Sequence, residues 1–214
     1  MYIPNYNTFF IHVTKCGGTS VELFFLNDAG FNYSYKDLTN GTKRSRISEF
    51  FIGRKLKPPL GYETQHITAL DAKERGVRQF LNANYTFAFV RNPWDRFVSE
   101  TFWMQQKTDL EEFTFEEALA SYKYQLEGKF NPHCSPMWKY LYDDDMNLLV
   151  DDVFKLEEIE KAEESLSKRL GIPIKFGKHN TTERTHYSDY LTPELKEKLY
   201  PLIQKDLELF GYDN

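Results

Sequence analysis

The chain has 214 residues, 41 % of them hydrophobic and 16 % aromatic, with 18 Phe and 14 Tyr. That is ample for a packed core and sets the expectation of one domain over 1–214. Its 27 basic and 32 acidic residues leave a net charge of −5, which argues against broad nucleic-acid binding but not against a local basic cleft for an anionic ligand. Two cysteines, Cys16 and Cys134, make neither a disulfide framework nor a zinc pattern. The first residues show no signal peptide, and no apolar run approaches the roughly 20 residues of a membrane helix. The expectation is a soluble, cytoplasmic chain with its four Asn-x-Ser/Thr triplets unused.

The first element in chain order is the apolar run Phe9–Val13, short and apolar enough for a buried strand. It breaks at Gly17-Gly18 and resumes as a helical stretch from Thr19 to Leu26. A strand passing through a glycine turn into a helix N-terminus forms an anion site, because free N–H groups and the helix dipole face the loop. Glycine lets the backbone close on a phosphate, and Lys15 supplies a point charge. The hydroxyls of Thr19 and Ser20 either bind phosphate oxygens or cap the helix. An ordinary strand-turn-helix with a loop lysine is the alternative. The loop is not a Walker A motif, since Lys15 precedes the glycines.

Residues 28–43 read as a polar loop or short hairpin, Ile47–Ile52 as a strand, and Arg54–Pro59 as a basic connector. Thr68 reads as the cap of a helix carrying Asp71 three residues on, which puts His66 just ahead of it. Tyr85–Val90 is the second strong strand, apolar nearly throughout as a central parallel strand is. Pro93 suits the first turn of the helix that follows. Arg91 then lies at the C-terminal end of the strand, the edge where parallel α/β sheets bind ligands. Ser99 sits two turns further on, its side chain leaning back toward the helix start. Arg91 and Ser99 form a second anion contact, or Arg91 simply pairs with Asp95; the local sequence leaves both open.

Leu110–Gln125 reads as a helix with Phe113, Phe115, Ala118, Leu119 and Tyr122 inward, and Met137–Tyr142 as a short aromatic helix. His133 and Cys134, in the loop between them, lack the further ligands of a metal site. Asp143–Asp145 reads as a solvated turn. A strand around Val153-Phe154 precedes an amphipathic helix, 157–170, stopped by Gly171. Thr192-Pro193 opens a last helix ending at Gly211.

Two separated strand-to-helix anion sites imply a ligand with two phosphate groups. The chain resembles the sulfotransferases that use 3′-phosphoadenosine 5′-phosphosulfate (PAPS), and among them the carbohydrate branch. Lys15-Cys16-Gly17-Gly18-Thr19-Ser20 resembles the family's 5′-phosphosulfate loop, although Thr14 stands where that loop often has Pro. Phe87–Ser99 resembles the 3′-phosphate motif and is the most specific match. His66 resembles the histidine that serves some members as base, and residues 180–184 with the last helix resemble the C-terminal region.

The resemblance implies an α/β, P-loop-like three-layer fold with a central, mostly parallel sheet flanked by helices. It implies sulfuryl transfer from PAPS to an acceptor hydroxyl or amine, leaving adenosine 3′,5′-bisphosphate, with no metal. His66 would take the acceptor's proton, an unperturbed histidine titrating near ~6.5. Lys15 and loop N–H groups would stabilise the leaving phosphate. Arg91 and Ser99 would hold the 3′-phosphate, and Arg184 would join the donor site. The expected partners are a small-molecule or glycan acceptor; Tyr62, Trp103, Trp138, Tyr140 and Arg54–Lys57 are candidates to line its pocket. A P-loop kinase-like phosphotransferase and a non-catalytic nucleotide-binding module are the rival readings.

Overall fold

The computed structural model describes residues 1–34, 36, 65–108, 113–124, 131–179 and 184–213. Among these, four strands form one sheet in the order β1 (Tyr2–Ile3), β2 (Thr8–Ile11), β3 (Tyr85–Val90), β4 (Asp152–Lys155). β2, β3 and β4 run parallel, with Phe10 opposite Phe87 and Ala88 opposite Val153. The short β1 adds an antiparallel edge. Every residue of β2 and β3 is buried, as parallel strands covered on both faces require.

The helices are α1 (Gly18–Asp28), α2 (Ala69–Glu74), α3 (Arg78–Leu81), α4 (Pro93–Thr108), α5 (Phe115–Tyr124), α6 (Trp138–Leu141), α7 (Ile159–Leu170) and α8 (Pro193–Phe210). One hydrophobic cluster surrounds the sheet, with Phe10, Phe25, Phe87 and Phe89 at its centre. A second joins Trp94, Phe97 and Val98 of α4 to Leu119 and Tyr122 of α5 and to Leu195, Leu199 and Ile203 of α8. The sheet is thus flanked by helices, and α4 is held from behind by α5 and α8. That backing fixes the face of α4 that carries Asp95, Ser99 and Trp103.

Most boundaries follow the sequence signals. Thr68 and Thr192 cap α2 and α8, accepting from the N–H groups of Asp71 at 2.9 Å and Leu195 at 3.2 Å. Gly171 and Gly211 end α7 and α8 in the left-handed conformation. A 3₁₀ turn, Leu156–Glu158, precedes α7 and shortens the expected helix. The acidic turn is local structure: Asp143 accepts from the backbone and side-chain nitrogens of Asn147 at 2.7 and 3.1 Å. The expected strand Ile47–Ile52, the connector Arg54–Pro59, Tyr62 and residues 180–183 lie outside the described residues.

Candidate active site

The loop between β2 and α1 is built on two left-handed residues, Lys15 (φ 63°) and Gly17 (φ 79°). Gly17 is the N-cap of α1, and no side chain caps the helix. Thr19 and Ser20 therefore remain half-buried first-turn hydroxyls, and the helix start is not closed by its own cap. Cys16 turns inward, its thiol against Thr14 O at 3.3 Å and Met137 Sδ at 3.6 Å, and burial pushes it up to about 12. Only its backbone can face a ligand. Gly18 has a packing role that the phosphate-loop pattern did not announce. A Cβ there would stand 2.1 Å from the His12 ring, so the glycine makes room for that imidazole.

His12 is a buried anchor. Its Nδ1 lies 2.8 Å from Glu22 Oε1, and Gln65 donates to the same carboxylate. Burial raises the Glu22 carboxyl, but the charge and hydrogen bond of His12 hold it below its ordinary value. The carbonyl of His12 in turn positions His66, whose Nδ1 is 3.2 Å from it. A carbonyl only accepts, so the neutral His66 ring carries its proton on Nδ1 and has Nε2 as its acceptor nitrogen. The His66 ring meets His12 edge-on at 4.7 Å and His133 at 5.8 Å between centroids. His133 lies flat on Trp103 (4.3 Å, 9°), and the Lys15 ammonium sits 5.4 Å from the centre of the same indole. Lys15, His66, Trp103 and His133 thus share one site at the C-terminal ends of β2 and β3.

The Thr14 departure is compensated within the fold. Its hydroxyl donates to Pro132 O at 2.6 Å and accepts from Arg96 Nη2 at 2.8 Å. Arg96 also donates to Thr14 O at 3.0 Å and to Ser135 O at 2.9 Å. This buried guanidinium ties the Lys15 loop, α4 and the loop 131–136 together. Asp206 of α8 accepts from the N–H groups of Met137 and Trp138, both at 2.8 Å, and so fixes the start of α6. Sequence reasoning missed Arg96 because its partners are 39 and 82 residues away.

Arg91 makes the ion pair with Asp95, which does not by itself exclude an anion contact. Its Nη2 and Nε reach Asp95 Oδ2 at 2.6 and 2.7 Å, and Nη1 donates to Lys15 O at 3.1 Å. Arg184 pairs with the other oxygen of Asp95. Two guanidiniums share one carboxylate, which leaves one positive charge uncompensated within the trio, beside Lys15. Ser99 stands one turn beyond Asp95 on α4, half-buried. Asn92 Oδ1 caps α4 through Trp94 N at 3.0 Å, so the start of this helix is closed by a side chain.

Burial lowers Lys15 to about 8, against the opposing pull of Glu100. The sign for function follows. The ammonium is charged below about 8 and neutral above it, so anion binding is strongest on the acidic side. A bound anion favours the charged form, and binding above pH 8 takes up a proton. We expect affinity for adenosine 3′,5′-bisphosphate to fall about fivefold between pH 8 and pH 9. Calorimetry at pH 9 in two buffers of different ionisation enthalpy should show proton uptake of about one. A flat affinity from pH 7 to 9 would place Lys15 away from the anion.

The glycine-turn loop with Lys15, the imidazoles of His66 and His133 near it, and the Arg91–Arg184 pair on Asp95 are the chemical groups of the site. The chain belongs to the sulfotransferase family, whose model matches residues 1–213. A sulfotransferase of known crystal structure, from Alicyclobacillus acidocaldarius, is similar in fold: 16 % identity over 97 % of this chain and 96 % of that one, with a TM-score of 0.50. The fold is accordingly the P-loop-like one expected from the sequence. None of the curated proteins matches the chain. No described helix is long and apolar enough to cross a membrane.

Proposed function

We propose that the chain transfers a sulfuryl group from PAPS to an acceptor hydroxyl or amine, with a carbohydrate as the acceptor class. The observation that carries this is the pair of anion points at one sheet edge: Lys15 with the α1 start, and Arg91 with Arg184 and Ser99. A donor with phosphates at both ends of a nucleoside fits them, and a kinase site offers no reason for the second.

PAPS supplies an activated sulfuryl group on a phosphate leaving group, and the residues do the rest. Lys15 and the loop N–H groups offset the charge that grows on the leaving phosphate oxygen. Arg91, Arg184 and Ser99 hold the 3′-phosphate and with it the donor's orientation. His66 Nε2 takes the proton of the acceptor. Incubation with radiolabelled PAPS and a panel of sugars, phenols and amines tests the reading. Label transferred to a sugar is expected; transfer to phenols alone would remove the carbohydrate assignment.

Arg91 gives a finer test. Arg91→Lys keeps the charge and loses the planar fork. Bisphosphate binding should weaken by roughly 1.5–3 kcal/mol, while adenosine 5′-phosphosulfate, which lacks the 3′-phosphate, should bind almost as before. An equal loss for both ligands would mean that Arg91 acts through its bond to the Lys15 carbonyl.

A further inference from the structure

Two carboxylate–histidine pairs flank His66, and only one of them is open. In the first, Glu22–His12, the ring is 5 % exposed and walled in by Gly18. In the second, Glu100–His133, the carboxylate is 3 % exposed but the imidazole is 31 % exposed. His133 Nδ1 lies 3.3 Å from Glu100 Oε1 and 3.4 Å from Oε2. Only the second contact is aligned as a hydrogen bond, and the buried Oε1 has no hydrogen-bond partner. A buried carboxylate is costly unless a partner offsets it, and the groups placed to do so are His133 and the charge of Lys15.

The pairing also sets the ring's chemistry. A carboxylate accepts, so the neutral His133 carries its proton on Nδ1 and leaves Nε2 as a lone pair. A carboxylate behind Nδ1 and a free Nε2 in front is the arrangement that makes a histidine an oriented general base. The ring is fixed on its flat side by Trp103. Its loop is fixed by Arg96 and Thr14, the side chains that also hold the Lys15 loop: Arg96 binds Ser135 O and Thr14 binds Pro132 O. Asn131 Oδ1 accepts from His133 N at 3.0 Å. The ring edge faces His66 at 5.8 Å, and both rings border the site that Lys15 enters.

We propose that His133, oriented by Glu100, is a second base of the transfer site, whose Nε2 takes over from His66 the proton that His66 draws from the acceptor. This rests on the sulfotransferase reading. In the step, the acceptor oxygen bonds to sulfur as its O–H bond breaks, and the one proton released passes by way of His66 to His133 Nε2. The S–O bond to the donor phosphate breaks, and its electron pair leaves with the bisphosphate. Glu100 offsets the imidazolium charge.

The test uses water as the acceptor, so the natural one need not be known. Release of inorganic sulfate from PAPS is measured alongside calorimetric binding of the bisphosphate. His133→Asn keeps an N–H toward Glu100 and removes the base. It should bind the bisphosphate within about threefold of the parent and release sulfate ~10²-fold more slowly. Glu100→Gln should lose less, about tenfold, and added imidazole should restore part of the rate of His133→Ala in a saturable way. Nitrogen-15 spectra of the imidazoles give a readout free of turnover: His133 protonated on Nδ1 in the parent, and that preference lost in Glu100→Gln. A His133→Asn protein as fast as the parent, a parallel loss of bisphosphate binding, or a parent His133 protonated on Nε2 would overturn the proposal. A parent that neither binds the bisphosphate nor releases sulfate would instead remove the sulfotransferase reading beneath it.

Discussion

His66→Ala lowers the rate of sulfuryl transfer by ~10²–10⁴, the span that a positioned general base contributes. Bisphosphate binding should change little, because in the proposed reading His66, held through the His12 carbonyl, serves the acceptor and not the donor. Steady-state transfer from PAPS and calorimetry on the same preparation separate the two effects. A variant that binds normally and transfers at nearly the parent rate would take His66 out of the proton-transfer step. His12 is then a poor substitute, since its Nδ1 is committed to Glu22 and its ring is buried. Substitution of Glu100 alone leaves the His12–Glu22–Gln65 support of His66 in place, so the two histidines can be assigned separately.

Lys15→Ala damages both measurements. In the proposed reading the ammonium offsets the charge on the leaving phosphate, and one lost charge-stabilising donor costs ~10²–10³ in turnover. Bisphosphate affinity falls as well, by about 1.5–3 kcal/mol for a charged hydrogen bond. The loop itself should survive. Its shape rests on Gly17, on Thr14 held by Arg96, and on the Lys15 carbonyl held by Arg91, all of which the substitution leaves in place. Lys15→Ala with undiminished bisphosphate binding would mean that the lysine faces the acceptor instead.

The elements that carry this chemistry were legible where the signal is local. The apolar runs of β2 and β3, the Thr192-Pro193 start of α8 and its Gly211 stop, and Thr68 as a cap are all signals within a few residues. The edge strand β1 was not legible, since two residues carry no periodicity and the strand exists through its pairing with β2. Glu100 and His133 were opaque for a different reason. They are 33 residues apart and meet only because Arg96 and Thr14 pull the loop 131–136 against the Lys15 loop. From sequence, His133 read as a discarded metal ligand, and nothing local marked Glu100. Arg91 was legible as a strand-end cation, but its sharing of Asp95 with Arg184 depends on a residue 93 positions further on, which no local pattern announces.

The two-point anion site is tested most directly by titrating the purified chain with adenosine 3′,5′-bisphosphate and, separately, with ATP and magnesium, followed by calorimetry. A ligand of the native state also raises the melting temperature, which gives a second readout. The bisphosphate should bind more tightly than ATP with magnesium and more tightly than AMP, because only it occupies both Lys15 and the Arg91–Arg184–Ser99 point. Tighter binding of ATP with magnesium would contradict a sulfotransferase donor site and favour phosphoryl transfer.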